Sequence, residues 1–153
     1  MDKTARLRAI KGAIEEMQKG DAAAAKKNYP EAEARYAAGL KLAPGDYTGL
    51  VCMATCLLNQ GKYSEAARYY ERLITRYPQG ALREKVLWDA AVTQYLYLRN
   101  IHRAIEIYRI ILKESSNREM RVAARRNLSE IYLRDVGDLS LALEESKALC
   151  EEV

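Results

Sequence analysis

A chain of 153 residues, 49% hydrophobic and 30% charged, is long enough to bury a core without covalent staples and too apolar to stay disordered. Its net charge of +4 is small for that length and does not by itself imply nucleic acid or an anionic lipid as partner. No apolar run approaches the roughly 20 residues that a spanning helix needs, so no membrane insertion is expected. The N-terminus, Met1-Asp2-Lys3-Thr4-Ala5-Arg6-Leu7-Arg8, leads into mixed charged and apolar residues rather than a secretory core, and a cytoplasmic location is expected.

In chain order, Leu7, Ile10, Ile14 and Met17 recur at helical spacing and predict one long first helix over about residues 3–27. Pro30 comes next, where a first turn has no use for an N–H donor. Leu50, Met53, Ala54 and Leu57 then mark one face of a helix, closed by a Gln60-Gly61-Lys62 turn in which Gly61 suits the left-handed residue after a helix. Tyr63, Ala66, Ala67, Tyr70 and Ile74 repeat the helical spacing until Pro78 stops it.

The order is repetitive. Tyr29-Pro30-Glu31-Ala32 returns 34 residues later as Tyr63-Ser64-Glu65-Ala66, with Tyr36 becoming Tyr70, Leu40 becoming Ile74 and Pro44 becoming Pro78. A third copy, with four extra residues, reads Ile101-His102-Arg103-Ala104, then Tyr108 and Leu112. A fourth reads Leu139-Ser140-Leu141-Ala142, then Ser146 and Cys150. Small residues such as Ala54, Ala66 and Gly20 let two helices approach, and tyrosines fill the wedge beside them. A single hairpin cannot bury its apolar face, so neighbouring hairpins must stack.

These residues resemble the tetratricopeptide repeat, whose pattern is W-x2-L-G-x2-Y, then A-x3-F, then P. The second unit offers Leu50-x2-Met53-Ala54-x2-Leu57, Ala66-x3-Tyr70 and Pro78. The third offers Trp88-x2-Ala91-Val92-x2-Tyr95 and Ala104-x3-Tyr108, with Ser116 in place of the proline. The first keeps Gly20, Ala32, Tyr36 and Pro44, and the fourth keeps Leu128, Tyr132, Gly137 and Ala142. The resemblance covers about residues 13–153 and looks like bacterial arrays of the family. It implies an all-α, right-handed superhelix of about four stacked hairpins, a tetratricopeptide-like α-solenoid of about eight helices. The expected domain is 1–153, with units at approximately 13–46, 47–80, 85–118 and 122–153, and residues 1–12 extending the first helix.

For function, the resemblance implies a non-enzymatic scaffold that holds a peptide or protein surface in a concave groove lined by the first helix of each unit. The groove residues carried over are Met17 and Asp21, then Thr48, Val51, Thr55 and Asn59, then Asp89, Thr93 and Tyr97, then Arg126 and Arg134. The alternative for these positions is a solvated face on a scaffold that binds elsewhere. Family members that clamp chaperone C-terminal carboxylates use Lys, Asn and Arg, whereas the matching residues here are Met17, Asp21, Cys52, Val86 and Ala90; this argues against a chaperone tail.

Sharper chemistry finds little support. An odd cysteine count reads as reduced thiols, and Cys52 and Cys56, four apart on one face, lack the further ligands a zinc site needs. Both, and Cys150 with them, are expected to pack as small buried hydrophobes. His102 is expected at the surface, without a nucleophile beside it, so neither catalytic residues nor a metal or cofactor are expected. Arg118, Arg121, Arg125 and Arg126 form a basic stripe, but with few interleaved aromatics it argues for a solvated or acid-facing surface rather than nucleic acid. The acidic tail Glu144, Glu145, Glu151 and Glu152 offsets that stripe and is complementary to it in a second copy. The second reading is therefore a structural module: a homo-oligomer, or an engineered or excised segment of a longer array.

Overall fold

The computed structural model describes residues 2–152; Met1 and Val153, the outer bounds of the expected domain, lie outside the described residues. Those residues form eight α-helices and no strand. They divide into two compact units, with the boundary between Gly80 and Ala81.

Unit 1 contains α1 (Lys3–Ala25), α2 (Tyr29–Leu42), α3 (Tyr47–Asn59) and α4 (Tyr63–Arg76), each packed on its neighbour in sequence. Asp2 caps α1 by accepting the Ala5 N–H at 2.7 Å, and Asp46 caps α3 by accepting that of Gly49 at 2.7 Å. Pro30 lies in the first turn of α2, as its missing donor allows. Helix α1 ends two residues before the predicted boundary because Lys27 turns left-handed, at φ 58°, and the Asn28 N–H reaches back to the Ala23 carbonyl at 2.9 Å.

Close approach explains how α1 meets α2. A Cβ on Gly20 would stand 2.5 Å from the Tyr36 ring, so only glycine admits that tyrosine. In the second hairpin Leu50, Leu57, Tyr70 and Leu73 are each about 1% exposed and form its interior. Burying side chains of this size contributes roughly 1.5–3 kcal/mol apiece.

Unit 2 contains α5 (Arg83–Val92), α6 (Ile101–Glu114), α7 (Arg118–Ile131) and α8 (Leu139–Glu152). Its first helices do not stop at Val92 and Ile131. Each runs into a π-helical turn, Thr93–Tyr97 and Tyr132–Val136. The Leu98 N–H bonds to the Thr93 carbonyl, five residues back, at 3.1 Å. Such turns put more residues into one revolution and rotate the residues beyond them about the helix axis. Charged pairs tie the hairpins: Arg83 grips Glu114 with two nitrogens at 2.9 and 3.0 Å.

All four hairpins turn in the same way. Lys27, Gly61, Arg99 and Gly137 all have positive φ and sit two residues before a second helix. Each of those second helices has 14 residues, and Ala32, Ala66, Ala104 and Ala142 on them are all buried. The spacing is 34 residues from Lys27 to Gly61 and 38 for each later step, which is the sequence repeat made physical.

Candidate binding site

In unit 1 the first five turns of α1 and the α2–α3 turn enclose an open cleft of about 1000 Å³. Arg6, Ile10, Ile14, Met17, Leu42 and Thr48 are among the side chains that line it. Met17 forms its floor: its methyl would clash with a Cβ on Gly39 at 2.7 Å, so glycine there makes room for it. Two of the predicted groove residues, Met17 and Thr48, are thus brought together. Asp21 is exposed one turn along and accepts the Tyr36 hydroxyl at 2.7 Å. Burial first, then this bond, pushes the Tyr36 phenol well above its usual range.

The other predicted positions of unit 1 lie outside the cleft. Thr55 is half-buried, and Asn59 is exposed with its amide donating to the Thr55 carbonyl at 3.0 Å. Val51 is only 4% exposed, so it belongs to the core of the second hairpin and not to a surface for a guest.

In unit 2 the predicted positions fall in several different surroundings. Thr93 is fully buried, its hydroxyl donating to the Asp89 carbonyl at 2.6 Å, and it opens the π-helical turn. The offset copied from α3 therefore fails at Thr93, whose side chain is turned inward onto the helix backbone. Asp89 is half-buried and paired with Lys85, while Tyr97 is 48% exposed. Arg126 and Arg134 are exposed on and after α7, and Arg126 borders only a shallow depression of about 320 Å³ with Arg118, Val122 and Ala123.

The basic stripe is largely spent inside unit 2. Arg121 donates to the Glu152 carboxylate at 2.9 and 2.6 Å and also to the Leu112 carbonyl. Arg125 reaches Glu145 at 3.0 Å and Glu152 at 3.3 Å, and Arg118 reaches the Glu152 carbonyl at 2.7 Å. The hydrogen bond from Arg121, chiefly, holds the Glu152 carboxyl below the usual range. The acidic tail therefore meets the stripe within one chain, and only Arg126 of the four arginines stays clear of α8.

Cys56 is buried and its thiol donates to the Tyr29 carbonyl at 3.2 Å; burial raises its pKa. Cys52 is half-buried. Cys150, expected to be buried, is instead exposed, because among the described residues no helix follows α8 to cover it. His102 is at the surface, 3.1 Å from Glu106. Among the described residues no His, Cys, Asp and Glu cluster could hold a metal, and no helix is long and apolar enough to cross a membrane.

Helical hairpins of one turn geometry, repeated at near-constant spacing, define a helical-repeat protein. Residues 17–81 match the tetratricopeptide repeat family, a stretch that runs through the first two hairpins from the cleft floor at Met17. No curated protein matches the sequence. Among solved structures, the chain is similar to MamA, residue 41 to its end, from Desulfovibrio magneticus RS-1. The TM-score is 0.72 at 17% identity, over 92% of this chain and 75% of that one. That likeness is one of fold, and it extends the repeat architecture beyond the matched stretch. Tetratricopeptide repeats generally mediate protein–protein interaction and are generally not catalytic.

Proposed function

We propose that this protein is a non-enzymatic scaffold that binds a peptide or protein surface, with the α1 cleft of unit 1 as its principal seat. The observation that carries this reading is the cleft itself, which leaves Ile14 53% exposed and Met17 half-buried beside Thr48 on helix faces that hairpin packing does not consume. Apolar clefts of this size with a few polar groups at the rim suit a helical or extended segment anchored by large side chains. Asp21, Thr55 and Asn59 extend the same face toward the turn after α3, while Tyr97, Arg126 and Arg134 offer a flatter secondary surface in unit 2. The three thiols suit a reducing compartment such as the cytoplasm.

The test is peptide selection. Binders selected from a displayed peptide library should lose at least about tenfold in affinity against Ile14→Glu or Thr48→Arg. Both positions are exposed, so helical content and unfolding temperature should stay unchanged. Binders indifferent to both substitutions would place the seat elsewhere. A second reading, a self-assembling module, is favoured by the uncovered leucines of α8, Leu139 and Leu143.

A further inference from the structure

Two stripes of exposed apolar side chains carry charges of opposite sign. On α1, Leu7, Ile10 and Ile14 are 59%, 45% and 53% exposed, and Ile10 and Ile14 line the cleft. Lys3, Arg6, Arg8 and Lys11 surround them, and none has an ion pair among the described residues. Asp2, the one acid among the first 14 residues, is engaged as the cap of α1. On α8, Leu139 and Leu143 are 61% and 53% exposed. Glu144 and Glu151 flank them, exposed and without an ion pair among the described residues. Their neighbours Glu145 and Glu152 are held by Arg125 and Arg121 on the inner side.

The outer face of α8 is one that this fold normally covers. Its counterparts on α2, Tyr29 and Glu33, lie under α3, with Cys56 donating to the Tyr29 carbonyl and Gln60 to the Glu33 carboxylate at 3.0 Å. On α8 the same register presents Leu139 and Leu143 to solvent. An amphipathic helix flanked by Glu144 and Glu151 and an apolar cleft with Arg6 at its rim, further cations nearby on α1 and its Asp46 engaged by the Gly49 N–H are complementary in apolarity and charge.

We propose that α8 of a second copy seats in the α1 cleft, with its Leu139 and Leu143 against Ile10, Ile14 and Leu42 and its Glu144 and Glu151 facing the cations of α1. This rests on the reading of the cleft as a protein-binding seat and names its occupant. The two surfaces are different, so the contact is heterologous and joins copies head to tail. Cationic rim and acidic flank also make the contact weaken with salt.

Sedimentation or light scattering tests it. The mass of the wild type rises with concentration and falls back toward the monomer in high salt. Arg6→Glu with Lys11→Glu, or Glu144→Lys with Glu151→Lys, each abolishes that rise while circular dichroism stays unchanged. Mixing the two double variants restores it, since each supplies the other's complement; misfolded variants are not rescued in this way. A wild type that stays monomeric at every concentration, or variants that assemble as it does, overturns the proposal. A monomeric wild type that still binds selected peptides through Ile14 overturns self-seating alone and leaves the scaffold reading standing.

Discussion

Residues up to Gly80 bring α1 and α2 together over glycine, whereas from Ala81 onward buried alanines are joined by a cluster of arginines and glutamates that clamps α8 to α7. In unit 1, Gly20 lies under Tyr36 and Gly39 beside Met17, so the backbones approach and leave a cleft where α1 outruns its partner. In unit 2, Arg83 holds Glu114, Arg121 and Arg125 hold Glu152, and π-helical turns take up the slack in α5 and α7. The same hairpin is thus reached by two routes. Ion pairs cross helices in unit 1 too, Arg35 to Glu16 and Lys62 to Glu33, but glycine sets the α1–α2 approach, whereas carboxylates exposed to acid close α8 on α7.

The largest contrast should come from volume. Gly20→Val forces atoms into the Tyr36 ring and should destabilise unit 1 by about 1–3 kcal/mol, seen in thermal unfolding. A smaller effect concerns the α7–α8 clamp and pH. The carboxyl of Glu152 is lowered in the folded state, so its contribution is complete above the unfolded value and is lost as pH falls through the folded one. Backbone relaxation should therefore show α8 loosening as pH falls below the ordinary carboxylate range, and Glu152→Gln should loosen it already at neutral pH. If α8 in Glu152→Gln is as rigid as in the wild type, the arginine clamp is ornamental. The smallest effect concerns the shared turn. Lys27→Gly should stabilise by up to roughly 1 kcal/mol, because a left-handed lysine is strained where glycine is not.

Local features are legible in the sequence for local reasons. Pro30 at a helix start, Gly61 at a left-handed turn and the recurring Ala32, Ala66 and Ala104 each act through their own backbone or their next turn. So does the first-helix stripe that lines the cleft, including Met17. Long-range and register-dependent features stay hidden. Nothing in Thr93-Gln94-Tyr95-Leu96-Tyr97 distinguishes a π-helical turn from an ordinary one, and nothing in Thr93, a small polar residue at a groove position of the repeat, signals that it is buried. Arg121 finds Glu152 only after α7 and α8 have paired, 31 residues apart. Cys150 matches an apolar position of the repeat, yet no later helix among the described residues covers it.

The methyl resonance of Met17 reads the cleft most directly. Methionine methyl labels place one probe on the cleft floor and two more, Met53 and Met120, away from it. Adding a synthetic peptide of residues 139–152 to dilute protein should move the Met17 signal saturably and leave Met53 unmoved, and Ile14→Glu should remove the response. A Met17 signal that stays fixed through the titration would contradict the cleft as a seat for α8.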